Sequence, residues 1–134
     1  MALVNAEQVL YEFLSTSGNS LYTLCAKRVY FKTPPSGFDN TSAALVYHFS
    51  GQESTLSDLI KVIAVFKCYG GDHTDSAAET VSRALFDRLH NVSSQVETSG
   101  SIIHAMQITA TVLPDDPDTG WKVSLREFEI TMQA

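Results

Sequence analysis

Cysteine is scarce in this chain. Two occur, Cys25 and Cys68, with no CxxC spacing and no even set of four or six. A disulfide framework is thereby excluded, and Cys68, on an apolar strand face, reads as a buried free thiol of an intracellular protein. Positive charge is also in short supply: nine basic residues stand against fifteen acidic ones, giving a net charge of -6 and a pI near 5.0. That balance argues against a face built to grip phosphate backbones. There is no long hydrophobic run either, since the most apolar stretch, around residue 60, carries Lys61 and Lys67 and is far too short to span a bilayer. With no charged n-region ahead of an apolar segment, Asn40-Thr41-Ser42 and Asn91-Val92-Ser93 read as chance matches to the glycosylation pattern, and the chain is expected to be cytosolic and soluble. No repeat, linker or low-complexity segment interrupts it. At 134 residues and 44% hydrophobic content, residues 1–134 are expected to form a single domain with a sizeable core.

Catalytic and ligand motifs are equally thin. None of His48, His73, His90 and His104 has i, i+4 or HxH spacing to another. His73 beside Asp72 and Asp75 reads as ordinary first-turn chemistry, and His104 as a satisfied core or interface histidine. There is no G-x-S-x-G elbow. Gly70-Gly71-Asp72 stands where a phosphate loop would, but it lacks G-x-G-x-x-G and GK[ST], and Asp72 and Asp75 would repel a phosphate, so it reads as a tight turn. Asp115, Asp116 and Asp118 lack the twelve-residue calcium loop with its terminal glutamate and read as an exposed acidic hairpin tip. No catalytic, cofactor-binding or metal-ligating residue is assigned. An enzyme or ligand-binding module with a site assembled in space, gathering His48, His104 and a carboxylate in one cleft, stays open as an alternative.

What is present is a strand, a double glycine and a helix, over residues 58 to 91. Ile60, Val62, Ala64, Phe66 and Cys68 form one alternate set with no polar member, which belongs in a core, while Leu59, Lys61, Ile63, Val65, Lys67 and Tyr69 are mixed. This pattern predicts a central strand, covered on one face and partly covered on the other. Gly70-Gly71 breaks it by supplying positive φ. In the helix that follows, Ser76 and Glu79 have capping-box spacing, Ala77, Ala78, Val81, Ala84, Leu85 and Leu89 make the apolar face, and Glu79, Arg83 and Asp87 an exposed stripe worth about 0.2–0.5 kcal/mol per pair.

Ahead of this unit, an Asn5–Gln8 capping pair, a Val4–Val9 staple and the face Val9, Leu10, Phe13, Leu14 predict a helix over about 6–15, with a short helical turn at 21–25. Arg28 to Phe31 reads as a strand ended by Pro34-Pro35, 43–49 as another, and 51–57 as a polar connection. After the helix, the serine-rich stretch 91–100 lacks strong periodicity, and 92–96 reads at most as a brief pairing at an edge. Residues 101–113 form a long strand with Ile102, Met106, Ile108, Ala110 and Val112 on one side, and the turn formers at 114–120 return it antiparallel. The returning strand is apolar at odd positions (Trp121, Val123, Leu125) and then at even ones (Phe128, Ile130, Met132). Either a bulge near Arg126-Glu127 restores one face, or the two halves face different partners. The expected class is α+β: a mixed, largely antiparallel sheet with an N-terminal helix and a main helix packed on one face and a long C-terminal β-hairpin.

This order of elements, with Lys27-Arg28-Val29-Tyr30, the strand Lys61 to Tyr69 and the helix Ala77 to Leu85, is similar to the tail terminator, or tail-completion, proteins of long-tailed bacteriophages over about residues 5 to 132. The strand near 92–96 is weaker than in that pattern. The resemblance implies a non-enzymatic virion subunit without cofactors, assembled in the host cytoplasm. It would form a hexameric ring on the head-proximal end of the tail tube, stop tube polymerisation and meet the head connector at the tail-neck junction. The tail tube protein and the connector are the implied partners, with genomic DNA passing through unbound and no membrane involved. A ring needs heterologous contacts between neighbours, so Trp121, Val123, Leu125, Phe128, Asp115 and Asp116 are candidate subunit-interface residues, with Trp121 as anchor unless it packs on its own sheet. Glu127 and Glu129 are candidate lumen-facing acids that would repel phosphate. Another neck or head-completion component remains the neighbouring alternative.

Overall fold

The structure, a computed structural model, describes residues 5–38, 41–56, 59–71, 74–113, 116 and 120–134, with the backbone alone at 53–56 and 112–113. Three helices, α1 (Ala6–Leu14), α2 (Ser20–Cys25) and α3 (Asp75–Leu89), accompany six strands: β1 (Val29–Phe31), β2 (Ala44–Leu56), β3 (Leu59–Tyr69), β4 (Ser93–Glu97), β5 (Gly100–Leu113) and β6 (Val123–Gln133). The strands form one sheet in the order β1-β2-β3-β6-β5-β4, curved into a half-barrel. Only β1 and β2 run parallel; every other neighbour is antiparallel. The α+β class and the closing β5–β6 hairpin follow as expected.

The periodicity of β3 explains the layering. Its even residues Ile60, Val62, Ala64, Phe66 and Cys68 are all buried, and they stand beside Met132, Ile130, Phe128, Arg126 and Ser124 of β6. The apolar stripes of the helices land on this face, with Val9, Leu10, Phe13 and Leu14 from α1, Leu21 and Cys25 from α2, and Val81, Ala84, Leu85 and Leu89 from α3 in one cluster. Burying each such Leu, Ile or Phe side chain contributes about 1.5–3 kcal/mol, which is what holds the helices to the sheet. Gly70 permits the sharp exit into α3. A Cβ there would lie 2.3 Å from Cβ of Ala77 and 2.5 Å from the Ala78 nitrogen, so its role is close approach, whereas Gly71 carries the positive φ of 90°.

Three expectations need correction. Strand β2 does not end at Phe49 but runs to Leu56, because a register shift between Phe49 and Gly51 absorbs one residue and the polar 51–56 stretch keeps its ladder with β3. Ser76 and Glu79 do not form a capping box: the N-cap is Thr74, whose hydroxyl accepts from the Ala77 N–H at 3.2 Å, and Glu79 is drawn elsewhere. Strand β6 has no bulge near Arg126-Glu127. The irregularities lie opposite it in β5, where Ile103 and Ile108 are skipped in the pairing, so Met106 and Ile108 end up 40% and 42% exposed instead of joining Ile102 in the core. Finally, β6 pairs with β3 in an unbroken register, so its two apolar halves face opposite sides of the sheet, as the second of the two readings had it. The expected Val4 partner of the staple, together with Asp72 and His73, lies outside the described residues.

Candidate functional site

The helices cover one face of the sheet; among the described residues no helix packs on the other. That open face carries Lys61, Ile63, Val65 and Lys67 from β3 and Leu125, Glu127, Glu129 and Thr131 from β6, all half-buried. Glu127 and Glu129 point the same way from positions two apart, hence about 7 Å from one another along the strand. Glu129 lies 3.8 Å from Lys61, an ion pair whose side chains are each more than a third exposed and which is worth little.

At one end the open face is closed by aromatic side chains. Val46, Tyr69 and Val123 are buried in a second, smaller cluster against which Tyr30, Trp121 and Leu125 pack. Trp121 meets Tyr69 edge-on at 5.5 Å and Phe38 at 5.6 Å, and Phe38 in turn meets Tyr30 at 5.9 Å. Asp116 is 1% exposed here, so it is not part of an exposed acidic tip, while Asp115 and Asp118 lie outside the described residues. Its carboxylate accepts from Lys67 Nζ at 3.0 Å and from the Tyr69 hydroxyl, and its backbone bonds Trp121 and Gly120. Asp116 is therefore held against the sheet as a buried charge with its partners supplied. Of the candidate interface residues, Val123 and Phe128 are buried inside the subunit, Trp121 and Leu125 keep part of their surface, and Asp115 lies outside the described residues.

On the helix side, β6 places two polar residues under α3. Arg126 Nη2 donates to Glu79 at 2.6 Å and to the Ser82 hydroxyl at 2.9 Å, and the Ser124 hydroxyl donates to Glu79 at 3.2 Å. Glu79 is thus not part of an exposed helical stripe. The even-numbered polar residues of β6 carried the signal: inside an otherwise core-facing set, Ser124 and Arg126 required a polar partner on the covering helix. Beside them, Glu79, Arg83, Phe86, Asp87, Gln107 and Arg126 line a cleft of about 300 Å³. His90, which caps the end of α3, stacks on Phe86 at 4.3 Å and accepts from the Gln107 backbone N–H at 3.0 Å.

Among the described residues no convergent catalytic arrangement accompanies these features. His48 and His104 sit on β2 and β5 with β3 and β6 between them, about 14 Å apart across the sheet and, by the register, about 13 Å apart along it. Four surface depressions of about 290 to 510 Å³ are lined by neither. Cys25 and Cys68 are buried free thiols; desolvation pushes Cys25 up to about 12 and Cys68 higher still, so neither is poised as a thiolate. Among the described residues there is no group of three His, Cys, Asp or Glu placed to hold a metal ion.

The fold and surfaces define an α+β half-barrel with one helix-covered and one open face. Compared with known proteins, the chain matches no family model and no curated protein sequence. Among solved structures it is similar to a chain of the "Virion of native gene transfer agent (GTA) particle", at a TM-score of 0.68 and 15% identity, covering 96% of this chain and 94% of that one. At that identity the likeness establishes the shared fold.

Proposed function

We propose that the protein is a structural subunit of a phage-type virion and, within it, a tail terminator. Six copies form a ring on the head-proximal end of the tail tube, end its polymerisation and join it to the head connector. The observation that carries this reading is the end-to-end likeness to a chain of a gene transfer agent virion, which leaves almost none of either chain unaccounted for. The order of elements that resembles tail terminators points to the same station. The whole of residues 1–134 acts as one domain. Tube protein and connector are its partners, and genomic DNA crosses the ring without specific binding.

The open sheet face suits such a role, because an amphipathic surface rimmed by charge is a mating surface, and Leu125 with the exposed part of Trp121 offers apolar area beside Asp116. In this reading the contact is made at the aromatic end, by Leu125 and Trp121, and Glu127 and Glu129, further along the same face, line the lumen and repel phosphate, consistent with a chain of net charge -6. No described helix is long and apolar enough to cross a membrane. Electron microscopy of the protein with and without purified tail tubes tests the proposal: a ring at one tube end is expected. Rings absent from tubes, or subunits bound along their sides, would refute it.

A further inference from the structure

The two outermost strands leave the sheet with a notch on one side and a tab on the other. On the β5 side, β4 pairs only as far as His104, and the chain leading into β4 bonds Ala105 and, through His90, the Gln107 N–H. Among the described residues nothing pairs with the outer side of β5 beyond that point, so Thr109 to Leu113 forms a bare edge. Residues 106–113 contain no charge, proline or glycine, the devices that keep exposed edges apart. On the opposite side, β1 projects beyond β2 over Val29–Phe31 alone. A depression of about 510 Å³ lies beside it, lined in part by Tyr11, Phe31 and Pro34, and keeps its outer edge accessible.

Tab and notch match in four respects. Followed across the sheet, the registers place Val29, Tyr30 and Phe31 level with Val112, Thr111 and Ala110, so a second copy set beside the first without sliding brings them together. The strand directions make β1 antiparallel to β5, the more stable pairing. The Leu45 N–H donates to the Arg28 carbonyl and the Lys32 N–H to the Tyr47 carbonyl, so alternation turns the backbone groups of Val29 and Phe31 outward. On β5, Ala105 and Gln107 face outward, and the extra residue Ile108 shifts that alternation to Ala110 and Val112. The side-chain faces agree as well: Val29 and Phe31 pack on the helix-side cluster, and Ala110 stands beside Arg126 on that same side.

We infer that the sheet continues from one copy to the next, with β1 of a second copy of this chain paired on the bare β5 edge, Phe31 opposite Ala110 and Tyr30 opposite Thr111. The two edges differ, so the contact is heterologous and repeats around an assembly. The inference rests on the reading of the protein as a self-assembling subunit and adds which edges meet.

Disulfide trapping tests it. Tyr30 and Thr111 form the non-hydrogen-bonded pair, whose Cβ atoms lie about 4.5–5.5 Å apart, and the native Cys25 and Cys68 are buried. Tyr30→Cys mixed with Thr111→Cys under mild oxidation, with and without tail tubes, should give a covalent dimer containing one of each, and neither variant alone should. Adding Ala110→Pro to the Thr111→Cys chain removes an outward N–H and should cut the mixed-dimer yield about tenfold, the scale of one hydrogen bond, with the fold intact by circular dichroism. No mixed dimer under either condition, a dimer of Thr111→Cys alone, or a yield untouched by Ala110→Pro would overturn the inference. Mixed dimers without rings at tube ends would refute the terminator reading alone, and rings without mixed dimers would refute this contact alone.

Discussion

Replacing Glu79 with alanine isolates the buried contact between α3 and β6. In the wild type, Arg126 Nη2 lies 2.6 Å from a Glu79 oxygen, with the arginine side chain 10% and the glutamate side chain 30% exposed. Removing one member of a buried pair costs about 3–5 kcal/mol because a charge is left in a poor solvent. Here the Ser82 hydroxyl still accepts from Arg126, and the glutamate side of the pair is partly hydrated, which lowers the expected loss to about 2–4 kcal/mol. For a chain of this length that corresponds to a drop of about 7–14 °C in melting temperature. Urea unfolding followed by circular dichroism should show the midpoint falling with little change in slope. About 1 M salt should barely reduce the difference, since the pair is shielded from ions. Joint replacement of Glu79 by Leu and Arg126 by Met should recover most of the loss, as apolar side chains of similar size fill the same space. A loss below about 0.5 kcal/mol, the value of an exposed helical pair, would refute the assignment of Glu79 to the interior.

Further outcomes follow from other contacts. Gly70→Ala should lower stability by about 2–3 kcal/mol, because its Cβ meets Ala77 and the α3 backbone, and thermal melts showing an unchanged protein would contradict that packing. Thr74→Ala should cost about 1 kcal/mol and Ser76→Ala almost nothing; chemical denaturation giving the reverse order would restore the capping box. Trp121→Ala loses edge contacts to Phe38 and Tyr69 and should cost the subunit about 1–3 kcal/mol, so an unaltered melting temperature would mean that the indole contributes only between subunits. Burial and the neighbouring Glu12 raise the Glu97 carboxyl above its ordinary 4.5, so its ionised form opposes folding and stability falls as pH rises through that window. Glu97→Gln should therefore raise the melting temperature at neutral pH, with the gain vanishing below about pH 4.5; a gain that persists in acid would show another cause.

Much of the fold was legible because its signals are local. The clean alternation from Ile60 to Cys68 and the apolar stripes of α1 and α3 specify buried faces directly, and they were buried. What escaped depends on neighbours. The polar run from Gly51 to Leu56 remains a strand because β3 supplies its hydrogen-bond partners, which no property of those side chains reveals. The skips at Ile103 and Ile108 reverse which residues of β5 face the helices, and a flat alternation cannot anticipate them. Asp116 looked like one of three equivalent acids in a turn, yet Lys67 and Tyr69 single it out from far away in the sequence. Likewise, Glu79 matched two familiar helix-surface patterns and served neither, because Arg126 offered a stronger interaction across the core. The contacts of the closing hairpin and its acids were therefore not readable from the sequence, because each depends on a residue far away in the chain.

The position of β6 in the strand order bears on how the subunit is made. The middle of the sheet joins β3 to β6, and β6 is the last element to appear in sequence, after α3, β4 and β5. Until it pairs, β1-β2-β3 and β5-β4 are two separate patches, each with an open inner edge. Closing them is a long-range event, slow compared with forming the helices or the β2–β3 hairpin. A chain without β6 consequently lacks both the joined core and the continuous open face. The joined sheet, and with it any surface that spans β3 and β6, exists only once this strand is in place.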